Sequence, residues 1–260
     1  MKKLLFAAAF VAALLTSCSQ KQEPAHTIES DTAYLDSMMN YWQNCPELIP
    51  DSVIYATFEE IYNYHKNDSL GLEIFSELVY EWDLETAKAK LAEAGELITS
   101  NAHIQRVMDG KEVAAKSGPG KGFIEVNGVN ATTDEPMTLS GIVAEGKPVV
   151  VDFWASWCGP CRQAIKGELQ EAYAKYSDRV NFVGIAVWEN GIEDTQKAMS
   201  ELPISWPILF AGGREGSPTE QYGIMGIPHI LLINADGIIT SRNLRGEALA
   251  LAIEQCLAQE

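Results

Sequence analysis

Val149 to Cys161 reads VVVDFWASWCGPC, and no other stretch restricts the fold as much. The apolar run that closes a strand from Lys147 to Phe153 has the composition of a strand buried on both faces, which requires covering layers above and below it. Gly159 and Pro160 suit a tight turn into a helix, and CRQAIKGELQEAY continues that helix from Cys161 to Tyr176. Two of the five cysteines therefore stand where a buried strand passes into a helix. That setting suits a thiol that must be held and tuned better than a metal clamp.

The rest of the chain falls into two compositional halves. Residues 31–116 are rich in helix formers, and Ile54, Phe58, Ile61 and Tyr62, then Leu91, Ala94, Leu97 and Ile98, recur at helical spacing. Three to five helices are expected there, with Asp51 and Ser52 capping the first of these faces. Trp42, Tyr55, Tyr62, Tyr64 and Trp82 are read as packing residues. Ser117-Gly118-Pro119-Gly120-Lys121-Gly122 interrupts the pattern and is read as a linker, 117–122. Beyond it, residues 123–260 alternate between strand and helix. Strands are expected at Phe123–Val126, Lys147–Phe153, Val180–Trp188 and Ile208–Phe210, with a hairpin of His229–Asn234 and Ile238–Arg242. Helices are expected at Asp194–Leu202 and Glu247–Gln259. The fold class is α/β: a central mixed sheet flanked by helices, preceded by a mostly α-helical N-terminal domain.

The first residues, MKKLLFAAAFVAALLTSCS, place two lysines before an apolar run too short to span a bilayer. Residues 1–17 are read as a secretory signal. Leu15-Thr16-Ser17-Cys18 resembles a bacterial lipobox, which makes Cys18 the lipidated residue and 18–30 a tether to a membrane. An ordinary signal peptide with an incidental cysteine is the alternative. With 19 Lys and Arg against 36 Asp and Glu, the chain carries a formal charge of -17, unsuited to nucleic acid or to hugging anionic lipid.

VVVDFWASWCGPC, followed downstream by Gly226-Ile227-Pro228 and a strand ending in Asn-Ala-Asp-Gly, resembles the thioredoxin superfamily. The branch it is most similar to is that of the membrane-anchored TlpA/ResA-like thiol-disulfide oxidoreductases, including Bacteroidetes forms with an extra N-terminal domain. The resemblance covers residues 118–260. It implies a thioredoxin fold and a redox-active Cys158–Cys161 disulfide that carries the electrons itself, with no cofactor and no metal. Zinc would need a second pair of ligands, which Cys45, Cys256 and four histidines do not offer as a clasp. The residues lead to the same chemistry: Cys158 at a helix N-terminus faces unpaired amides that favour a thiolate, so it is the nucleophile, and Cys161, one turn deeper, resolves the mixed disulfide.

By the same resemblance, Asp152 is the buried acid that exchanges a proton with Cys161, and desolvation should raise its pKa. Gly184 aligns with a lysine that pairs with this acid in thioredoxin. Pro228 is the cis-proline that brings Ile227 backbone groups to the sulfurs. Trp157, Gly159, Pro160, Ile227 and Pro228 form the substrate surface, with Trp154 as a further shield. His229 is read as packed or exposed. Relatives carry an acidic residue soon after the second cysteine, where this chain has Ala164-Ile165-Lys166-Gly167. Glu189–Tyr222 corresponds to the extra βα insertion of this branch.

The reading is a lipid-anchored, periplasm-facing reductase of protein disulfides, serving cytochrome c maturation or thiol repair. Its reducing equivalents would come from a transmembrane electron donor. A dithiol oxidase or disulfide isomerase using the same residues is the first alternative, and a non-enzymatic envelope binding protein the second. Cys256 is read as a small hydrophobe on a helix face, with a Cys45–Cys256 disulfide left open.

Overall fold

The computed structural model describes residues 25–44 and 50–259. Cys18, the signal and Cys45 lie outside the described residues. The chain divides into two compact units between Phe75 and Ser76.

In the first unit, α1 (Ile28–Asn44) and α2 (Asp51–Tyr62) lead into α3 (Ser69–Glu81). Leu35, Ile54, Ile61, Tyr62, Leu70, Ile74 and Phe75 are buried, and Tyr62 meets Phe75 edge-on at 5.6 Å between ring centroids. Phe58 is half-buried, and Tyr64 is an exposed ring stacked on His26. The expected cap at Asp51 is absent: Pro50 holds the N-cap position and Asp51 is the first helical residue. His65 is buried, with its Nδ1 2.7 Å from Asp68 Oδ2 and its Nε2 2.8 Å from Asp31 Oδ2. Burial disfavours charge on His65 and Asp31 alike. The hydrogen bonds win, holding His65 above its ordinary pKa and Asp31 below its own.

The second unit starts with α4 (Leu84–Ala92), α5 (Glu96–Thr99) and α6 (Ala102–Lys116), so six helices precede the sheet among the described residues. Asp83 caps α4 through Thr86 N, and Asn101 caps α6 through His103 N and Ile104 N. The apolar face expected across Leu91 to Ile98 is split, because α4 ends at Ala92 and α5 begins after Gly95; Ile98 is buried while Leu97 is exposed.

The sheet is formed by β1 (Asn127–Asn130), β2 (Pro136–Thr138), β3 (Val149–Trp154), β4 (Asn181–Ala186), β5 (Ile208–Phe210), β6 (His229–Ile233) and β7 (Ile239–Arg242). Its order is β2-β1-β5-β4-β3-β6-β7. β4 runs parallel to β3 and β5, while β6 is antiparallel to both β3 and β7. The remaining helices are α7 (Leu139–Val143), α8 (Gly159–Ala164), α9 (Gln170–Tyr176), α10 (Ile192–Glu201), α11 (Pro218–Tyr222) and α12 (Glu247–Leu257). Every residue of β3 is buried, as the sequence predicts. Its pleat sends Val150 and Trp154 into one core with Cys161, Ile165 and Ile253, and Val149, Val151 and Phe153 into another with Leu139 and Tyr222.

The strand expected at Phe123–Val126 does not form. Tyr222 Oη occupies both backbone groups of Ile124, accepting from its N–H at 2.9 Å and donating to its carbonyl at 2.6 Å. The ladder instead begins at Asn127, where Gly128 lets β1 approach β5 closely: a Cβ there would lie 2.2 Å from Phe210 O. The helix expected from Cys161 to Tyr176 begins at Gly159 and is interrupted by a π turn, Ile165–Leu169, kinked at Gly167.

The linker expected at 117–122 is not where compactness divides. α6 belongs with the sheet, because Arg242 of β7 donates to Ala114 O at 2.8 Å and Tyr222 O at 3.0 Å, and Ser117 Oγ donates to Tyr222 O at 3.0 Å. Gly223 closes α11 at φ 62°, with no room for a side chain: a Cβ would stand 2.4 Å from Ala114 N and Gly110 O. Gly223→Ala should therefore lower unfolding free energy by about 2–4 kcal/mol, combining left-handed strain with overpacking against a helix backbone. Urea denaturation measures it; a change below about 0.5 kcal/mol, no more than a surface substitution gives, would show that α6 is not anchored here.

Candidate active site

β3 ends at Trp154, and Ala155-Ser156-Trp157 carries the chain over the sheet edge to Cys158, the N-cap residue of α8. In place of a capping oxygen, Cys158 Sγ accepts the Cys161 N–H at 3.1 Å. Pro160 lies in the first turn, where a missing amide hydrogen costs nothing. Cys158 and Cys161 form a disulfide, S–S 2.00 Å. Cys161 is fully enclosed and Cys158 is 3% exposed, so the outer sulfur is the one nearer to solvent. When the bond opens, the amide already aimed at Cys158 and the helix N-terminus favour its thiolate.

The Ile227–Pro228 bond is cis, and Ile227 O lies 3.7 Å from Cys158 Sγ. Trp157 is 54% exposed beside the cysteine, its Nε1 donating to Trp188 O at 3.1 Å. Trp154 is fully buried and offers no outer surface, so of the two tryptophans only Trp157 presents one.

Asp152 is 2% exposed, and neither carboxylate oxygen has a hydrogen-bond partner. Burial pushes its pKa up to about 7, with Arg245 pulling it down and Glu168 pushing it up. Asp152 pairs with Gly184 on β4, the position where the resemblance puts a lysine. A side chain there would have to displace its neighbours: a Cβ on Gly184 would meet Ile208 Cδ1 at 2.4 Å and Trp154 Nε1 at 3.0 Å. His229 is buried, its Nε2 unpartnered, and burial together with Arg242 and Arg245 drives its pKa down to about 3. It is a neutral packed histidine.

Cys158, Cys161 and Ile227 thus meet just past the end of β3, with cis-Pro228 following Ile227, Gly159 and Pro160 shaping the turn, and Asp152 buried within β3 itself. Three neighbours were not foreseen. Buried Glu189 accepts from Ser156 N at 2.5 Å and Ser156 Oγ at 2.8 Å, clamping the loop before the cysteines. Its position just past the C-terminal end of a central strand was the signal available. Glu168 supplies the acidic group that Ala164–Gly167 lacks, because the π turn rotates it from the register of a regular helix. Arg245 comes from the turn after β7 and had no local signature.

Residues 108–249 match the Redoxin family. This chain belongs to that family. Among curated relatives, a thioredoxin of Alicyclobacillus acidocaldarius is 43% identical over 26% of this chain and 62% of its own length. The thiol-disulfide oxidoreductase ResA of Bacillus thuringiensis is 26% identical over 44% of this chain and 63% of its own. The chain thus spans less than two thirds of either relative. A solved C-terminal domain from Bacteroides thetaiotaomicron, proposed to belong to a thiol-disulfide oxidoreductase, is 30% identical with TM-score 0.50, covering 56% of this chain and 99% of that domain. The Redoxin-family match and this neighbour give the second unit its thioredoxin-like fold.

Ionising Asp152 costs more in the folded Redoxin unit than in the unfolded chain, about 7 against 3.8. The stability owed to this group is therefore full below about pH 4 and declines as pH rises to about 7. Asp152→Asn lacks that decline. In urea unfolding of the oxidised protein, its stability relative to wild type should rise by on the order of 4 kcal/mol from about pH 4 to about pH 8. Parallel pH curves would mean that the carboxylate is solvated in the fold.

Proposed function

We propose that this protein is a thiol-disulfide oxidoreductase of the cell envelope that reduces disulfides in protein substrates. The observation that carries the reading is the placement of Cys158 Sγ at a helix N-terminus, against the Cys161 amide and beside the carbonyl of a cis-proline loop. In the reduced protein, the Cys158 thiolate attacks one sulfur of a substrate disulfide, forming a mixed disulfide and expelling the other substrate sulfur as thiolate. Cys161 gives its proton to Asp152 and attacks Cys158 Sγ. The mixed disulfide breaks, the second substrate sulfur leaves and takes up a proton, and Cys158–Cys161 closes as substrate is reduced by two electrons. Ile227, held beside the sulfurs by cis-Pro228, offers backbone groups to an extended substrate segment, and Trp157 an apolar surface.

The ResA and Bacteroides relatives support the reaction class by their names. The reducing direction rests on Gly-Pro between the cysteines. Lipidation at Cys18 would hold the protein on a membrane facing the periplasm, and a transmembrane donor would reopen the disulfide after each turnover, in support of cytochrome c maturation or thiol repair. No helix among the described residues is long and apolar enough to cross a membrane.

Insulin reduction with dithiothreitol should be accelerated by the wild type and not by Cys158→Ser; equal rates would remove the catalytic assignment. Equilibration with glutathione should place the couple near the thioredoxin value of about -270 mV, whereas a value near about -180 mV would make the protein an oxidase or isomerase.

A further inference from the structure

Asp152 needs a charge partner that its own sheet does not provide. Its strand neighbours are Gly184, which has no side chain, and Ile230, which is apolar. On α8 its core holds only the two cysteines as reactive groups, and on β6 the nearby His229 is neutral. The charged groups that act on Asp152 are Arg245, from the turn between β7 and α12, and Glu168, from the π turn.

That turn is tied to the site from three directions. Leu244 N–H donates to Ile230 O of β6 at 3.2 Å. Arg245 donates through Nη2 to the carbonyl of cis-Pro228, and through Nη1 to Leu244 O at 2.6 Å. Gly246 N–H donates to Glu168 Oε2, while Glu168 Oε1 is buried without a partner. Arg245 is exposed along part of its length, yet both ends of its guanidinium sit on backbone carbonyls. One residue thus touches the cis-proline loop and acts electrostatically on the buried acid.

We propose that Arg245 is a positioning residue for dithiol exchange, holding the cis-Pro228 loop and supplying from outside the sheet the positive charge that opposes Glu168 at Asp152. This rests on the oxidoreductase reading and assigns the site a residue that neither the CGPC motif nor the cis-proline motif contains. A cation here favours the carboxylate that accepts the Cys161 proton; an anion at Glu168 disfavours it. The two residues act with opposite sign.

The test is a 13C-carboxyl NMR titration of Asp152 in the oxidised protein, which needs no turnover, beside the pH profile of insulin reduction. Arg245→Met should raise the Asp152 midpoint by about one pH unit and move the acid limb of the rate profile with it. Arg245→Lys should restore most of that shift, and Glu168→Gln should lower the midpoint. A purely structural role for Arg245 would slow the reaction with the midpoint in place, which overturns the proposal, as do shifts of the same sign in the Met and Gln variants. Should Arg245→Met not fold, the Lys and Gln variants still decide: midpoints equal to wild type in Glu168→Gln refute the opposed pair. Loss of insulin reduction by the wild type would refute the oxidoreductase reading instead, leaving the NMR shifts to be judged alone.

Discussion

Asp152 is a carboxyl enclosed in the middle of a sheet with no hydrogen bond to either oxygen, and the architecture around the dithiol follows from tolerating it. Leaving such a group ionised and unpartnered would cost several kcal/mol, so the fold holds it near neutrality instead. A carboxyl with its pKa at about 7 can both accept and return a proton at ambient pH, which no solvated aspartate does. Its neighbour on β4 is Gly184, packed under Ile208 and Trp154 and without a side chain that could neutralise it. Its tuning is left to groups reaching in from the π turn and from the turn after β7.

The sulfurs impose a different demand. Cys158 must present an edge to solvent while its amide surroundings stay fixed, so the loop from Ala155 to Trp157 cannot move freely. Glu189 meets that demand by binding both the backbone and the hydroxyl of Ser156. Trp188, at φ 59°, turns its carbonyl to Trp157 Nε1, while its own Nε1 donates to Thr219 at 3.0 Å. Hydrogen bonds to Ser156 and Trp157 pre-set the helix start, so opening the disulfide need not reorganise the amides that receive the thiolate.

The buried strand and the turn carrying the cysteines were legible because three signals agreed there: an unbroken apolar run, a Gly-Pro helix start, and cysteines three apart. The cis-proline was legible through the resemblance alone. Illegible were the features set by long-range contacts. Phe123–Val126 has strand composition, and loses its ladder to one tyrosine hydroxyl nearly a hundred positions away in the chain. Glu168 looks like a surface residue on a regular helix until the π turn displaces it. Arg245 sits in an exposed turn, and only the closing of β6 on β7 brings it to Pro228.

The Gly- and Pro-rich stretch 117–122 invited a domain boundary, and the contacts of the helix before it bear on how the site is framed. α6 packs near its end against Gly223, and Gly110 in its middle lies under Met225, whose Sδ would stand 2.7 Å from a Cβ there. Gly223 and Met225 lead directly to Gly226, Ile227 and cis-Pro228, so the helix before the supposed linker supports the segment that lines the sulfurs. Arg242 fastens the same helix end to Tyr222 O. A helix that braces the cis-proline segment in this way is part of the Redoxin-family unit's own framework. The compact unit that ends at Phe75 has its own polar centre, the buried His65 held between Asp31 and Asp68.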